Sequence, residues 1–264
     1  MKDITDREFA QFQRFIFDIA GISLSEAKKP LVCGRLGKRL QFHGLSSYSE
    51  YFALLRSGQQ AAELQIAVDL LTTNETYMFR EQKHFDLLRQ VAAQARPHAF
   101  RVWSAACSSG EETYSIAMVL ADCLPARSWE VIGSDISQRM LERARTGHYP
   151  MERARDVPQD YLRRFCLRGT GSYQGSLLVS KDLRERVSFM QINLNEELPA
   201  LGAFDVIFLR NVMIYFNNDT KRRIVERMVP LLRSGGYFLI GHSESLNGIT
   251  DALVARAPAI YVKP

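Results

Sequence analysis

Trp103 to Ser115 read WSAACSSGEETYS. The segment enters as an apolar strand through Val102 and Trp103 and passes through small residues to Ser108-Ser109-Gly110-Glu111-Glu112. It then continues with helical spacing. A strand-to-helix turn of this kind is where an α/β sheet holds a nucleotide, and a dinucleotide fingerprint there carries three glycines. Gly110 stands alone, and two glutamates occupy the place of a pyrophosphate. The turn reads as a nucleotide site that rejects phosphate.

Outward from this turn, short apolar runs alternate with helical stretches. RVWSAA is followed by a helix from about Glu112 to Leu124, then WEVIGSDI, the helix SQRMLERAR, the strands VSFMQINL and FDVIFLRN, the helix DTKRRIVERMVPLL and the strand YFLIGHS. LVARAPAIYVKP can supply a terminal antiparallel pair. Such alternation predicts a mostly parallel sheet covered on both faces. The connection from Gly147 to Arg186 is overlong, and Gly169, Gly171 and Gly175 punctuate a β-like run within it. A connection of that length inside a compact domain is usually functional. A small hairpin subdomain is predicted at about 160–186.

Upstream the period is helical throughout. Phe9, Phe12, Ile16 and Ile19 share one face of a helix closing at Gly21, and Val32, Leu36 and Leu40 form the stripe of another. SSYSEYFALLRSG and AAELQIAVDLL follow. The chain thus divides into a helical part, 1–72, a linker, 73–84, and an α/β part, 85–264.

Composition is that of an ordinary globular protein, 46% hydrophobic and 24% charged over 264 residues. No apolar run reaches the ~18 residues of a membrane span, and the charged N-terminus lacks the apolar core of a signal peptide. Four scattered cysteines without a CxxC pair read as reduced thiols, so a cytoplasmic location is expected and no metal site is expected. A net charge of +5 favours an acidic partner but is too small and dispersed to indicate nucleic acid.

In open α/β sheets ligands bind beyond the carboxyl ends of the strands. Four ends here carry polar groups: SAACSSGEE after Ala105, Asp135 in GSDIS, Asn193-Leu194 in QINLNE, and Arg210-Asn211 in FLRNVMIYF. Asp135 lies where an acidic group takes a ribose diol. It can also cap the next helix, a role for which Ser137 competes. Glu111 and Glu112 repel phosphate and suit an ammonium group, although each alone is also an ordinary first-turn acid favoured by the helix dipole. A ribose, a base-sized slot, no phosphate and a cationic amino acid end together describe S-adenosylmethionine.

TTNETYMFRE, SAACSSGEETYS, GSDIS, QINL, FLRNVMIYF and GGYFLIGHSESL, in that order, closely resemble the motifs of the CheR family. These are chemotaxis methyltransferases that esterify glutamates on chemoreceptors. The resemblance spans nearly the whole chain, and its departures (Thr113 for proline, Met78 for an aromatic, Leu209 for cysteine) remove no polar group. It implies a Rossmann-like methyltransferase domain with an inserted small β subdomain, preceded by a small all-helical domain. It further implies that Asn74, Thr76, Arg80, Ala105, Glu111, Asp135, Asn193, Leu194, Arg210 and Asn211 contact S-adenosylmethionine and its product S-adenosylhomocysteine. Arg80 and Tyr215 would stand nearest the transferred methyl.

The residue types suit that chemistry. A glutamate acceptor, with a reference pKa of about 4.3, is ionised at neutral pH and needs no general base. Arg80 can grip a carboxylate with paired donors, and Tyr215 can add a hydroxyl bond. His242-Ser243 lacks a GxSxG elbow and cannot form a hydrolytic pair.

Between Ala27 and Ser49 every charged residue is basic (Lys28, Lys29, Arg35, Lys38, Arg39), and Arg35, Lys38 and Arg39 lie opposite the apolar stripe. Both the absence of acids and the resemblance imply receptor docking by this face. The resemblance also allows the inserted subdomain to capture a receptor's C-terminal tail as an added strand. Two other readings of the chain stay open: a silent scaffold that keeps fold and ligand, and a methyltransferase with another acceptor.

Overall fold

A computed structural model describes residues 3–94 and 98–264. Four helices come first: α1 (Asp6–Ala20), α2 (Lys29–His43), α3 (Tyr48–Arg56) and α4 (Ala61–Leu71). Thr5 opens α1 with a capping box completed by Glu8, a device worth about 1 kcal/mol. Gly21 closes the helix in the left-handed region, donating its N–H to the Phe17 carbonyl. The expected stripes are inside: Phe9, Phe12 and Ile16 of α1 and Val32, Leu36 and Leu40 of α2 are buried, while Ile19 is half-buried.

After the irregular segment 72–82 come α5 (Lys83–Ala93), β1 (Phe100–Ala105), α6 (Glu111–Cys123), β2 (Trp129–Asp135) and α7 (Gln138–Thr146). The inserted region holds β3 (His148–Pro150), α8 (Gln159–Phe165), β4 (Cys166–Arg168), β5 (Ser176–Val179) and α9 (Lys181–Arg184). The chain ends with β6 (Val187–Gln191), β7 (Phe204–Leu209), α10 (Asn218–Met228), β8 (Leu232–Ile240), β9 (Val254–Ala257) and β10 (Ile260–Val262).

Seven strands form one sheet in the order β6-β2-β1-β7-β8-β10-β9. The first five are parallel, and β10 and β9 add antiparallel at the edge, as the terminal apolar runs predict. The order runs away from β1 in both directions, so the crevice opens at the carboxyl ends of β1 and its neighbours.

Alternate residues serve opposite faces. Trp103, Ala105, Ile207 and Leu209 join one core with α10 and the four N-terminal helices. Val102, Val206 and Phe208 join a second core with α5, α6 and the inserted subdomain. The helical part is therefore not a separate globule but shares its core with one face of the sheet.

The insertion differs from the predicted hairpin at 160–186. It is a three-stranded antiparallel sheet, β3-β5-β4, beginning at His148. The outer strand β3 is only HYP, too short and too proline-bound to show a strand period in the sequence.

Candidate functional site

A cleft of about 940 Å³, open to solvent, lies at the carboxyl ends of the strands. Its wall combines Asn74, Thr76 and Arg80 from segment 72–82, Asp135 from β2, Asn193 and Leu194 after β6, and Arg210, Asn211 and Tyr215 after β7. Ala20 and Ile22 of the helical part, with Ile136, Ile192, Val212 and Phe216, supply an apolar lining that the sequence reading missed.

The turn after β1 is held by unusual backbone. Ala106 and Ser108 have φ of +59° and +50°, and Gly110 has +92°. A Cβ on Gly110 would meet Ala144 Cβ at 2.8 Å and the Tyr149 hydroxyl at 3.0 Å, so this lone glycine serves helix packing as well as the turn. Six non-glycine residues among those described have positive φ, and five of them (Phe79, Glu81, Ala106, Ser108 and Asn211) lie in the cleft wall or beside it. Strain concentrated this way marks a site whose geometry the surrounding fold imposes.

Asp135 is buried at the end of β2 and accepts the backbone N–H of Ser108 and of Ser137, both at 2.8 Å. Burial pushes its carboxyl up to about 6, against those hydrogen bonds. Ser137 itself caps α7, accepting from Met140 N–H, so Asp135 is free of that duty.

Of the two first-turn glutamates, the structure brings Glu112 and not Glu111 to the cleft. Glu111 is buried with its carboxylate on the Ser109 hydroxyl at 2.8 Å, and burial raises its pKa. Likewise Ala106, rather than the expected Ala105, lines the cavity. Adjacent residues at a strand end or a helix start point in different directions, and nothing in their identities says which faces the crevice.

Arg210 is a buried hub. One guanidinium nitrogen donates to Glu112 at 2.8 Å, and the other donates to Glu81 at 2.9 Å and to the Arg80 carbonyl at 2.5 Å. Burial works to raise the Glu81 carboxyl, but Arg210 prevails and holds it at about 2. His84 is fully buried beside Glu81, and burial followed by the Arg210 charge lowers it to about 3, so the imidazole is neutral. Glu81, His84 and His242 have ligand-type atoms within 4.8 Å of one another. Because Arg210 already sits on the Glu81 oxygen nearest both histidines, the cluster reads as an ion-pair hub.

Arg80 contrasts with Arg210. Among the described residues its guanidinium makes one hydrogen bond, to the Glu75 carbonyl at 3.2 Å, and it lies 5.8 Å from the Tyr77 ring centre. Most of its donors stay available to a ligand. Asn193 points the other way: its amide donates to the Ile19 carbonyl and to Glu196, tying the helical part to the sheet.

The expected docking arginines are engaged internally. Arg35 donates to the Leu70 and Thr72 carbonyls at 2.8 and 2.7 Å. Arg39 forms a two-bond pair with Glu63 of α4, which also accepts from Tyr51 at 2.6 Å. The acid missing from the α2 sequence is supplied by α4, so Arg35 and Arg39 are hydrogen-bonded within the fold, while Lys38 and Lys28 are exposed.

The cleft fits S-adenosylmethionine on its own chemistry. Glu75, Glu112 and Asp135 outnumber Arg80 and Arg210 among the charged lining residues, which favours a cation and disfavours a pyrophosphate. Asp135 keeps lone pairs for a diol, and Ile136, Ile192 and Leu194 offer an apolar slot for a base.

Comparison with known proteins agrees. Residues 74–259 match the CheR methyltransferase SAM binding domain, and residues 7–72 match the CheR methyltransferase all-alpha domain. The chain is 41% identical to the chemotaxis protein methyltransferase of Escherichia coli K12, covering 98% of this chain and 91% of that protein. It is 44% identical to chemotaxis protein methyltransferase 2 of Pseudomonas aeruginosa, covering 97% and 93%. With chemotaxis protein methyltransferase 2 of Vibrio cholerae it shares 36% identity, covering 99% and 94%. A turn with a single glycine, a buried aspartate at the end of β2 and an arginine with most of its donors unspent thus sit in a chain that belongs to the CheR methyltransferase family.

Proposed function

We propose that the chain transfers a methyl group from S-adenosylmethionine to glutamate side chains of chemotaxis receptors, forming methyl esters. One observation carries the mechanism: Arg80, with most of its donors unspent, lines the same cleft as Tyr215 and the buried Asp135. When bound, the cofactor supplies an electrophilic methyl on a sulfonium. Asp135 takes the ribose, and Glu112, held by Arg210, stands in the same cleft wall. Arg80 and Tyr215 orient the acceptor carboxylate, which is already ionised, so the protein's work is alignment and exclusion of water. The test is incubation with methyl-labelled S-adenosylmethionine and receptor-bearing membranes. Base-labile label, released as methanol from a receptor-sized band, is the expected result. Cofactor binding without such label would contradict the assignment and favour a scaffold or another acceptor.

The acceptor reaches the cleft through two surfaces in this reading. Lys28 and Lys38 remain exposed for an acidic receptor face, which makes affinity salt-sensitive. The outer edge of β4 is unpaired in its sheet, and Leu167 on it is 60% exposed, as suits a receptor tail that adds a strand. Deleting residues 169–178 would remove Ser176–Leu178 of the central strand β5, so a point change is the cleaner probe. The Gly169 to Ser176 and Ser180 to Phe165 backbone bonds, with the β4–β5 register, leave the Arg168 N–H on the outer edge. Arg168→Pro is expected to weaken methylation of tailed receptors about tenfold and to spare tailless ones. Equal loss on both would overturn the edge-strand role.

A further inference from the structure

The HSES segment after β8 takes no part in the cleft wall, yet it grips the turn that carries Tyr215. Glu244 accepts the N–H of Gly241 at 2.6 Å and of Asn211 at 2.9 Å on one oxygen, and that of Ile214 at 3.3 Å on the other. Among the described residues its hydrogen-bond partners are all backbone N–H groups. Such a nest of amides around an anion fixes backbone rather than side chains. Asn211 is one of the strained residues, with φ of +57°. Gly241 lets the two segments meet, since a Cβ there would lie 2.4 Å from Asn211 Nδ2 and 2.8 Å from Glu244 Oε2.

The turn is gripped again by Glu81, which accepts from Asn211 Nδ2 and from His242 N–H, each at 3.2 Å. Asn211 therefore has a second hold that Ile214 and Tyr215 lack. Between Ile214 and the next helix the turn is tied to Glu244 through Ile214, and to the helical part through the Ile22–Phe216 bridge and the Tyr215 carbonyl, which accepts from Ser23 N–H at 2.7 Å.

We propose that Glu244 is a positioning residue for methyl transfer, its carboxylate clamping the Asn211–Ile214 backbone so that the Tyr215 hydroxyl is held at the acceptor carboxylate. The inference rests on the transfer reading above. It places the effect on the Tyr215 side of the cleft and leaves Asp135, Glu112 and the Glu81 contact to Asn211 intact.

The test uses the full chain with receptor membranes and four variants: Glu244→Ala, Glu244→Gln, Tyr215→Phe and the Glu244→Ala/Tyr215→Phe double. Three quantities are measured: kcat from alkali-released methanol, cofactor Kd by calorimetry, and Tm. Glu244→Ala is expected to lower kcat roughly 10- to 100-fold, with Kd changed by about threefold or less. Glu244→Gln, which keeps one acceptor oxygen, is expected to recover part of the loss. The decisive reading is the cycle: Tyr215→Phe should cost a much smaller factor in the Glu244→Ala background than in the native one. An equal cost in both backgrounds, an unchanged kcat, or a loss of cofactor affinity as large as the loss of kcat would each overturn the proposal. Should Glu244→Ala fail to fold, the same cycle is run with Glu244→Gln. Label absent from the native protein would instead overturn the transfer reading, and this inference with it.

Discussion

Replacing Arg80 by alanine is expected to lower methyl transfer roughly 100-fold at saturating cofactor, the scale of a misplaced reactant. Cofactor affinity should change by about threefold or less, because the proposed mechanism leaves the ribose and amino acid ends to other residues. The reason lies in how the two cleft arginines spend their donors. Arg210 gives its donors to Glu81, Glu112 and the Arg80 carbonyl, and is buried. Arg80 gives one bond to the Glu75 carbonyl and keeps the rest. Arg80→Lys should recover little, since an ammonium cannot present two parallel donors to a carboxylate. Single-turnover methanol release beside calorimetric Kd values separates the two quantities. Full transfer by Arg80→Ala would remove Arg80 from the mechanism.

Asp135→Ala should act on the other axis, weakening S-adenosylmethionine roughly 100-fold for the loss of a charged acceptor of two hydroxyls. The residual rate at saturating cofactor should stay near native. Native affinity should also depend on pH with a defined sign. Burial places the Asp135 carboxyl at about 6, so it is ionised at pH 7 and protonated on acidification. In the proposed mechanism the ionised form accepts the diol, so affinity is expected to be full above about pH 7. It should fall towards a limiting slope of about tenfold per pH unit below the pKa. Calorimetry from pH 5 to 8 checks this. A flat profile, or one that weakens as pH rises, would contradict the diol role.

Much of this was legible in the chain because strand ends are legible. A parallel sheet puts whatever polar residue ends a strand at the crevice, so Asp135, Arg210 and Asn211 could be placed from the apolar runs before them. Direction within a turn was not legible. Glu111 and Glu112 are both first-turn acids of α6, yet Glu112 lines the cleft while Glu111 is buried on the Ser109 hydroxyl.

Nor was pairing across distance legible. α2 looked like a docking face because its own segment lacks acids, but Glu63, on another helix, holds Arg39 in two hydrogen bonds. The apolar lining from Ala20 and Ile22 was equally invisible, since no local pattern says that the end of α1 folds back over a sheet that starts at Phe100.

That lining has a consequence for anyone who would graft a new receptor preference onto this enzyme. Ile22 bridges Phe216, and Ser23 holds the Tyr215 carbonyl, both from the helical part that the proposal assigns to receptor docking. A chimera joined at residue 72 would import a foreign recognition module together with a foreign piece of the catalytic pocket. A safer exchange takes only the outward-facing positions of α2, such as Lys38, and leaves residues 20–23 native, so that a change of partner does not also become a change of chemistry.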